Sequence, residues 1–150
     1  MEQIIIHGKE FQKARKAIKE NKGKRIIFSS EDDELDKKVL EKENIDVLLL
    51  NLSQKKDRMK QRDSGFNQVL ARIAKKSGVS IGINLDEILG SHSKKEKSDI
   101  LGRIRQNVKL ANKSKLKMEF ISEKNAKPKR HDLRALGLVL GMPTWMMNGF

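Results

Sequence analysis

Val47-Leu48-Leu49-Leu50 is the run that most restricts what this chain can fold into. Four aliphatic residues in succession, between Asp46 and Asn51, lack the alternation of a strand with one wet face. They suit a short strand covered on both sides, the usual state of a parallel sheet. Ile4 to Ile6, Arg25 to Ser29, Val79 to Ile83 and Lys117 to Ile121 are further short runs of strand character. Segments of helical spacing lie between them. Phe11, Ala14 and Ile18 share one side of Lys9 to Glu20, and Leu35, Val39 and Leu40 share one side of an acidic helix that Ser30 is expected to cap. Phe66, Val69, Leu70 and Ile73 fall at i, i+3, i+4 and i+7 in a helix preceded by Asp63 and Ser64 as caps and stopped by Gly78. Ser91-His92-Ser93 opens a longer helix, with Ile100, Leu101, Ile104, Val108 and Ala111 inward and Arg103, Arg105, Lys109 and Lys113 outward. His131 to Leu140 forms a last helix on Leu133, Leu136 and Leu140. Strands alternating with helices predict an α/β fold on a parallel sheet, with 1–150 as one domain.

Charge narrows the function. The chain carries 33 Lys and Arg against 20 Asp and Glu, a formal net charge of +13. Residues 1–30 hold eight basic and three acidic side chains, whereas 31–46 hold three basic and eight acidic. Residues 52–78 then hold eight against two, and 94–134 fourteen against five. A surplus so unevenly placed points to a polyanion, with nucleic acid the expected partner. Aromatic residues make up only 4% of the chain, which argues against stacking bases on an aromatic platform. The absence of cysteine excludes disulfide and thiolate chemistry. No run approaches the ~20 apolar residues of a membrane span, and Met1 to His7 is too short for a signal peptide, so a cytoplasmic protein without a membrane partner is expected.

Two basic stretches are the candidate nucleic-acid contacts. Arg58, Lys60 and Arg62, in a loop after the third strand, join Arg72, Lys75 and Lys76 on the helix that follows. Lys124, Lys127, Lys129, Arg130 and Arg134 form the second set, in a loop that Pro128 keeps irregular and at the start of the last helix. Such side chains neutralise phosphates and release counterions. The tail residues Trp145, Met146, Met147 and Phe150 are apolar and clustered, and are the candidate partner-docking group.

Catalysis by the chain itself is the weaker alternative. In a parallel α/β fold chemistry gathers beyond the carboxyl ends of the strands, here His7, Ser29, Asn51, Asn84, Asp86, Ser122 and Glu123. His7 or Glu123 has acid–base chemistry to offer a small hydrolase. No metal-ligand spacing or phosphate-cradling glycine loop accompanies them, and Ser29, Asn51 and Asn84 suit strand-end caps. His92 and His131 precede helices and are expected as capping or surface residues, so no catalytic residue and no metal site is assigned.

Three blocks together resemble one family. They are Asp63-Ser64-Gly65-Phe66-Asn67-Gln68-Val69-Leu70-Ala71, then Gly78 to Leu85 with Ile88-Leu89, then Asp132 to Met142. In order and spacing they are similar to the barrel-folded protein subunit (protein component 3) of archaeal and eukaryotic ribonuclease P. The resemblance implies a TIM-like barrel that pairs with a small ferredoxin-like protein. It also implies support for a catalytic RNA that removes the 5′ leader of precursor transfer RNA, with magnesium held by the RNA and no cofactor bound by the protein. Arg62 adjoins the Asp-x-Gly block and resembles a basic position of the family. The family's barrel has roughly two βα units ahead of the point matching Met1, so about five strands are expected here against about eight in a closed barrel. The edges of such a partial barrel are expected to stay open, or to be covered by a second chain or copy. Where the family tends to have proline before the last Asp-Leu helix, this chain has Arg130-His131. A general structured-RNA-binding module is the other reading.

Overall fold

The structure, a computed structural model, describes residues 2–53, 63–90 and 92–150. Among the described residues five strands lie side by side in chain order, all parallel: β1 (Gln3–Gly8), β2 (Arg25–Ser30), β3 (Val47–Leu50), β4 (Ser80–Asn84) and β5 (Met118–Ile121). Helices α1 (Phe11–Glu20), α2 (Asp33–Lys42) and α3 (Gln68–Ser77) alternate with them. A one-turn helix α4 (Leu85–Leu89) and the long α5 (Lys94–Lys113) separate β4 from β5; α6 (Arg130–Val139) and the short α7 (Thr144–Met147) follow. This is the expected α/β architecture, a partial TIM-like arrangement whose sheet does not close.

Period-two alternation sorts each strand between two cores. Ile6, Ile26, Phe28, Leu48, Leu50, Ile81, Ile83 and Met118 face the helices and join the main cluster. Ile27, Val47, Leu49 and Ile121, with Ile5 beside them, form a second cluster on the opposite face. That inner face is sealed because the sheet curls. Strands spaced ~4.8 Å apart would hold β2 roughly 14 Å from β5 in a flat sheet. Instead the Arg25 guanidinium on β2 pairs with the Glu119 carboxylate on β5, and also donates to Gln3 on β1 at 3.1 Å. Nearer the carboxyl end, His7 Nε2 on β1 lies 2.7 Å from Glu123 Oε1, just past β5. Gly82 of β4 makes the tight curl feasible. A Cβ there would meet Val47 at 3.0 Å and Leu49 and Ile121 at 3.1 Å, so the facing side chains already use that space.

Helix ends depart from the sequence reading by a few residues, for local reasons. Asp32, not Ser30, caps α2 by accepting from the Glu34 N–H at 3.0 Å. The buried Ser30 hydroxyl bonds instead to the Asp36 carboxylate at 2.7 Å. Asn67, not Asp63 or Ser64, caps α3 through the Leu70 N–H at 2.9 Å. The helix therefore starts at Gln68, which turns Leu70, Ala71 and Ala74 inward and leaves Val69 51% exposed. Gly78 closes α3 as expected, in the left-handed conformation with φ 71°.

Candidate nucleic-acid interface

The carboxyl end of the sheet is organised by α4. Asn84 ends β4 and caps that turn, its Oδ1 accepting from the Asp86 and Glu87 N–H groups at 3.0 and 3.3 Å. The two carboxylates then reach in different directions. Asp86 accepts from the Ser122 hydroxyl at 2.6 Å and from the N–H groups of Glu123 and Lys124 at 2.9 and 3.1 Å. Glu87 accepts from the N–H groups of Leu52, at 2.9 and 3.1 Å, and Ser53, at 2.7 Å. One helical turn thus holds the first residues of both basic segments. Burial raises the pKa of Asp86, but the bonds from Ser122, Lys124 and Glu123 and the nearby Lys124 charge outweigh it and hold the carboxyl below its ordinary value.

Arg103 completes the anchorage and corrects the sequence reading. Expected on the outer face of α5, it is 5% exposed, and its Nη1 donates to the Leu52 carbonyl at 2.9 Å. Its position on α5 falls between Ile100 and Ile104, on the stripe that faces the sheet. Arg105, Lys109 and Lys113 are exposed as expected. His92 is held against α4, with Nε2 2.7 Å from the Glu87 carbonyl, while Ser93 caps α5. His131 is exposed in the first turn of α6.

The basic residues divide into two surfaces. Lys124, Lys127, Lys129, Arg130 and Arg134 are all exposed and begin where Asp86 holds the chain, beyond the carboxyl ends of the strands. Arg72, Lys75 and Lys76 are exposed on α3, but Lys75 and Lys76 lie in its last turn. Lys75 Nζ donates to the Lys115 carbonyl at 2.8 Å, just ahead of β5 and so toward the amino end of the sheet. The two sets therefore do not merge into one patch. Arg58, Lys60 and Arg62 lie outside the described residues. Composition alone did not single out Lys94, Lys95 and Lys97, exposed in the first turn of α5 next to α4. Their signal was the cap at Ser93, which sets where α5 begins.

The tail folds back. Met146 and Met147 are 1% and 8% exposed and belong to the main core, with Gly137 of α6 leaving room for the thioethers of Met147 and Met142. These two docking candidates are thus internal, where the flexible Met side chain fills the gap left by Gly137. Trp145 stays 37% exposed, its Nε1 donating to Asn112 at 3.1 Å. Phe150 packs on Phe120 with ring centroids 5.2 Å apart.

The inward-facing side chains at the strand ends form a polar layer. Asn84 Nδ2 donates to Asn51 Oδ1 at 3.0 Å, and Asn51 Nδ2 donates to Ser29 Oγ at 2.6 Å. His7 and Glu123 meet beside them, both side chains about half exposed. Among the described residues no group of three or more His, Cys, Asp or Glu is placed to hold a metal ion, and no helix is long and apolar enough to cross a membrane.

No known protein-family model matches the chain. Its fold is similar to that of a solved chain from the cryo-EM structure of archaeal ribonuclease P with mature tRNA, with a TM-score of 0.76 and 24% sequence identity. The match takes in 96% of this chain and 62% of the other, so the chain spans under two thirds of that protein's length.

Proposed function

We propose that this chain is an RNA-binding protein subunit of ribonuclease P, assisting a catalytic RNA in removing the 5′ leader of precursor transfer RNA. The fold shared over 96% of the chain with a protein of an archaeal ribonuclease P assembly carries this reading. The charge of +13 supports it, because the surplus needs a polyanion to act on. On this reading the exposed lysines and arginines at the carboxyl end of the sheet, Lys94 to Lys97 and Lys124 to Arg134, bind RNA phosphates, and Arg72, Lys75 and Lys76 make a second contact. Arg58, Lys60 and Arg62 are further candidate RNA contacts by sequence alone. Neutralising phosphate repulsion lowers the magnesium that the RNA needs to fold and cleave. Bond cleavage belongs to the RNA and its magnesium, and the protein works in the cytoplasm with a ferredoxin-like partner subunit. Trp145 and Phe150 are the tail residues left to meet that partner, and a second copy or chain along β1 or β5 is a further contact.

The test is reconstitution. Purified protein, cognate RNA and ferredoxin-like partner should cleave precursor transfer RNA at a magnesium concentration where the RNA alone is inactive. No gain in cleavage would overturn the proposal. Equal affinity for unrelated duplex RNA would favour a general basic RNA-binding module instead.

A further inference from the structure

The carboxyl end of the curled sheet holds a cavity of about 430 Å³, bordered by His7, Lys9, Ser29, Ser30 and Asn51. That volume lies within the roughly 300–1,000 Å³ usual for small-molecule sites. Its hydrogen-bond polarity is fixed from α4 outward. Asn84 Oδ1 faces two backbone N–H groups and therefore accepts, so its Nδ2 donates to Asn51 Oδ1. Asn51 is locked in turn and donates one amide hydrogen to the buried Ser29 hydroxyl. One amide hydrogen and one lone pair of Asn51 are left over, in an orientation that the bond from Asn84 fixes, since a flip would set two amide NH2 groups against each other.

His7 is the register partner of Ser29 on the neighbouring strand and shares its face of the sheet. In the neutral ring, the Glu123 carboxylate 2.7 Å from Nε2 selects the tautomer with its proton on Nε2, which leaves Nδ1 to accept. A fixed donor on Asn51 and an acceptor on His7, bordering one cavity, match a hydroxyl group that accepts from the first and donates to the second. Lys9 adds a cation suited to a phosphate. Glu31 and Asp32 also border the cavity, and their charge opposes a longer polyphosphate.

We propose that this cavity binds one unpaired ribonucleotide unit, through its ribose 2′-hydroxyl on Asn51 and His7 and a single phosphate on Lys9. The 2′-hydroxyl is both donor and acceptor, and it distinguishes RNA from DNA. A free nucleoside monophosphate and a nucleotide of single-stranded RNA present the same chemistry.

The experiment uses the intact chain alone, without catalytic RNA or precursor, so its outcome is separate from that of the reconstitution. Uridine and adenosine 5′-monophosphates, their 2′-deoxy counterparts and triphosphates, and single-stranded RNA and DNA hexamers are titrated while the His7 ring signals are followed by NMR. The ribose form should bind at least roughly tenfold more tightly than the deoxy form, which loses the hydrogen bonds to both Asn51 and His7, and the triphosphate more weakly than the monophosphate. His7→Ala and Lys9→Gln, both at exposed positions, should each weaken binding while the NMR spectrum stays folded. A ribose preference seen only with the hexamers, and lost in His7→Ala, would support the site as one for an RNA strand. Equal affinity for ribose and deoxyribose, binding unchanged in His7→Ala, or no binding of any probe at millimolar concentration would overturn the proposal.

Discussion

Asp86 and Glu87 are consecutive residues whose carboxylates hold segments far apart in the chain: Asp86 takes the N–H groups of Glu123 and Lys124, and Glu87 those of Leu52 and Ser53. Neither side chain can touch a polyanion favourably. If the chain binds RNA as proposed, their contribution is indirect, through the backbone that each holds at the start of a basic segment.

This makes the effect of Glu87→Ala on RNA affinity informative in sign. Deleting a negative charge from a protein that binds phosphates should tighten binding if charge alone matters. Because Glu87 anchors Leu52 and Ser53, the expected result is weaker binding, measured by titration with structured RNA at fixed salt. Stability should fall by about 1–3 kcal/mol in urea unfolding, the cost of leaving backbone donors unpaired. Tighter binding would show that the anchorage has no bearing on the surface.

Asp86 predicts a pH dependence. Its folded-state pKa lies below the ordinary 3.8, so its carboxylate contributes stability that is fully present above that value. The contribution is lost as the pH falls through the lower folded-state value. Asp86→Asn should therefore be less stable than the parent by a constant margin near neutrality. The margin should shrink below about pH 4. Thermal unfolding of both proteins across that range checks it, and a margin that grows in acid would contradict the assignment.

Arg103 and Arg105 make a paired comparison on one helix. Arg103→Ala removes a buried charge-assisted bond to Leu52 and should cost about 1.5–3 kcal/mol. Arg105→Ala, at an exposed position whose Nε reaches the Val139 carbonyl at 3.2 Å, should cost under about 1 kcal/mol. Denaturant midpoints for the two variants measure the difference.

Gly82 and Gly137 form a second pair. Gly82→Ala places a methyl against Val47, Leu49 and Ile121 inside the curl and should cost about 1–3 kcal/mol. Gly137→Ala meets the Sδ of Met147, the flexible part of a side chain that can turn away, and the helix gains up to about 1 kcal/mol in propensity. Its net effect should be the smaller of the two by thermal unfolding.

Salt dependence tests whether the second basic set meets phosphates. Replacing Lys124, Lys127 and Lys129 with Gln should flatten the plot of log affinity against log salt, by roughly 0.7–0.9 for each phosphate that is no longer neutralised. An unchanged slope would remove these three lysines from the interface.

The strands were legible in the sequence because four hold short aliphatic runs and β5 is a short apolar stretch broken only by Glu119, and the parallel order followed from their alternation with helices. Gly78 was legible as a stop because its local backbone geometry requires it. The cap of α3 was not, since Asp63, Ser64 and Asn67 are all capping residue types and only packing selects Asn67. Arg103 was misplaced because residue type suggests a solvent face, whereas its spacing from Ile100 and Ile104 puts it among buried positions. Met146 and Met147 look like a sticky tail until Gly137, nearby in sequence on α6, is seen to open the space that receives them. The bond between His7 and Glu123 joins residues 116 apart in the chain, and no local pattern announces it.

That bond and the pair between Arg25 and Glu119 act as two latches drawing the first strands toward the last. Any strand entering that gap, whether from a longer polypeptide or from another molecule, has to part both latches and expose Ile27 and Ile121 before it forms a single ladder bond of its own. Enlargement of this half-barrel thus begins with breaking the Arg25–Glu119 ion pair and the His7–Glu123 hydrogen bond, and substituting one partner of each removes that first step.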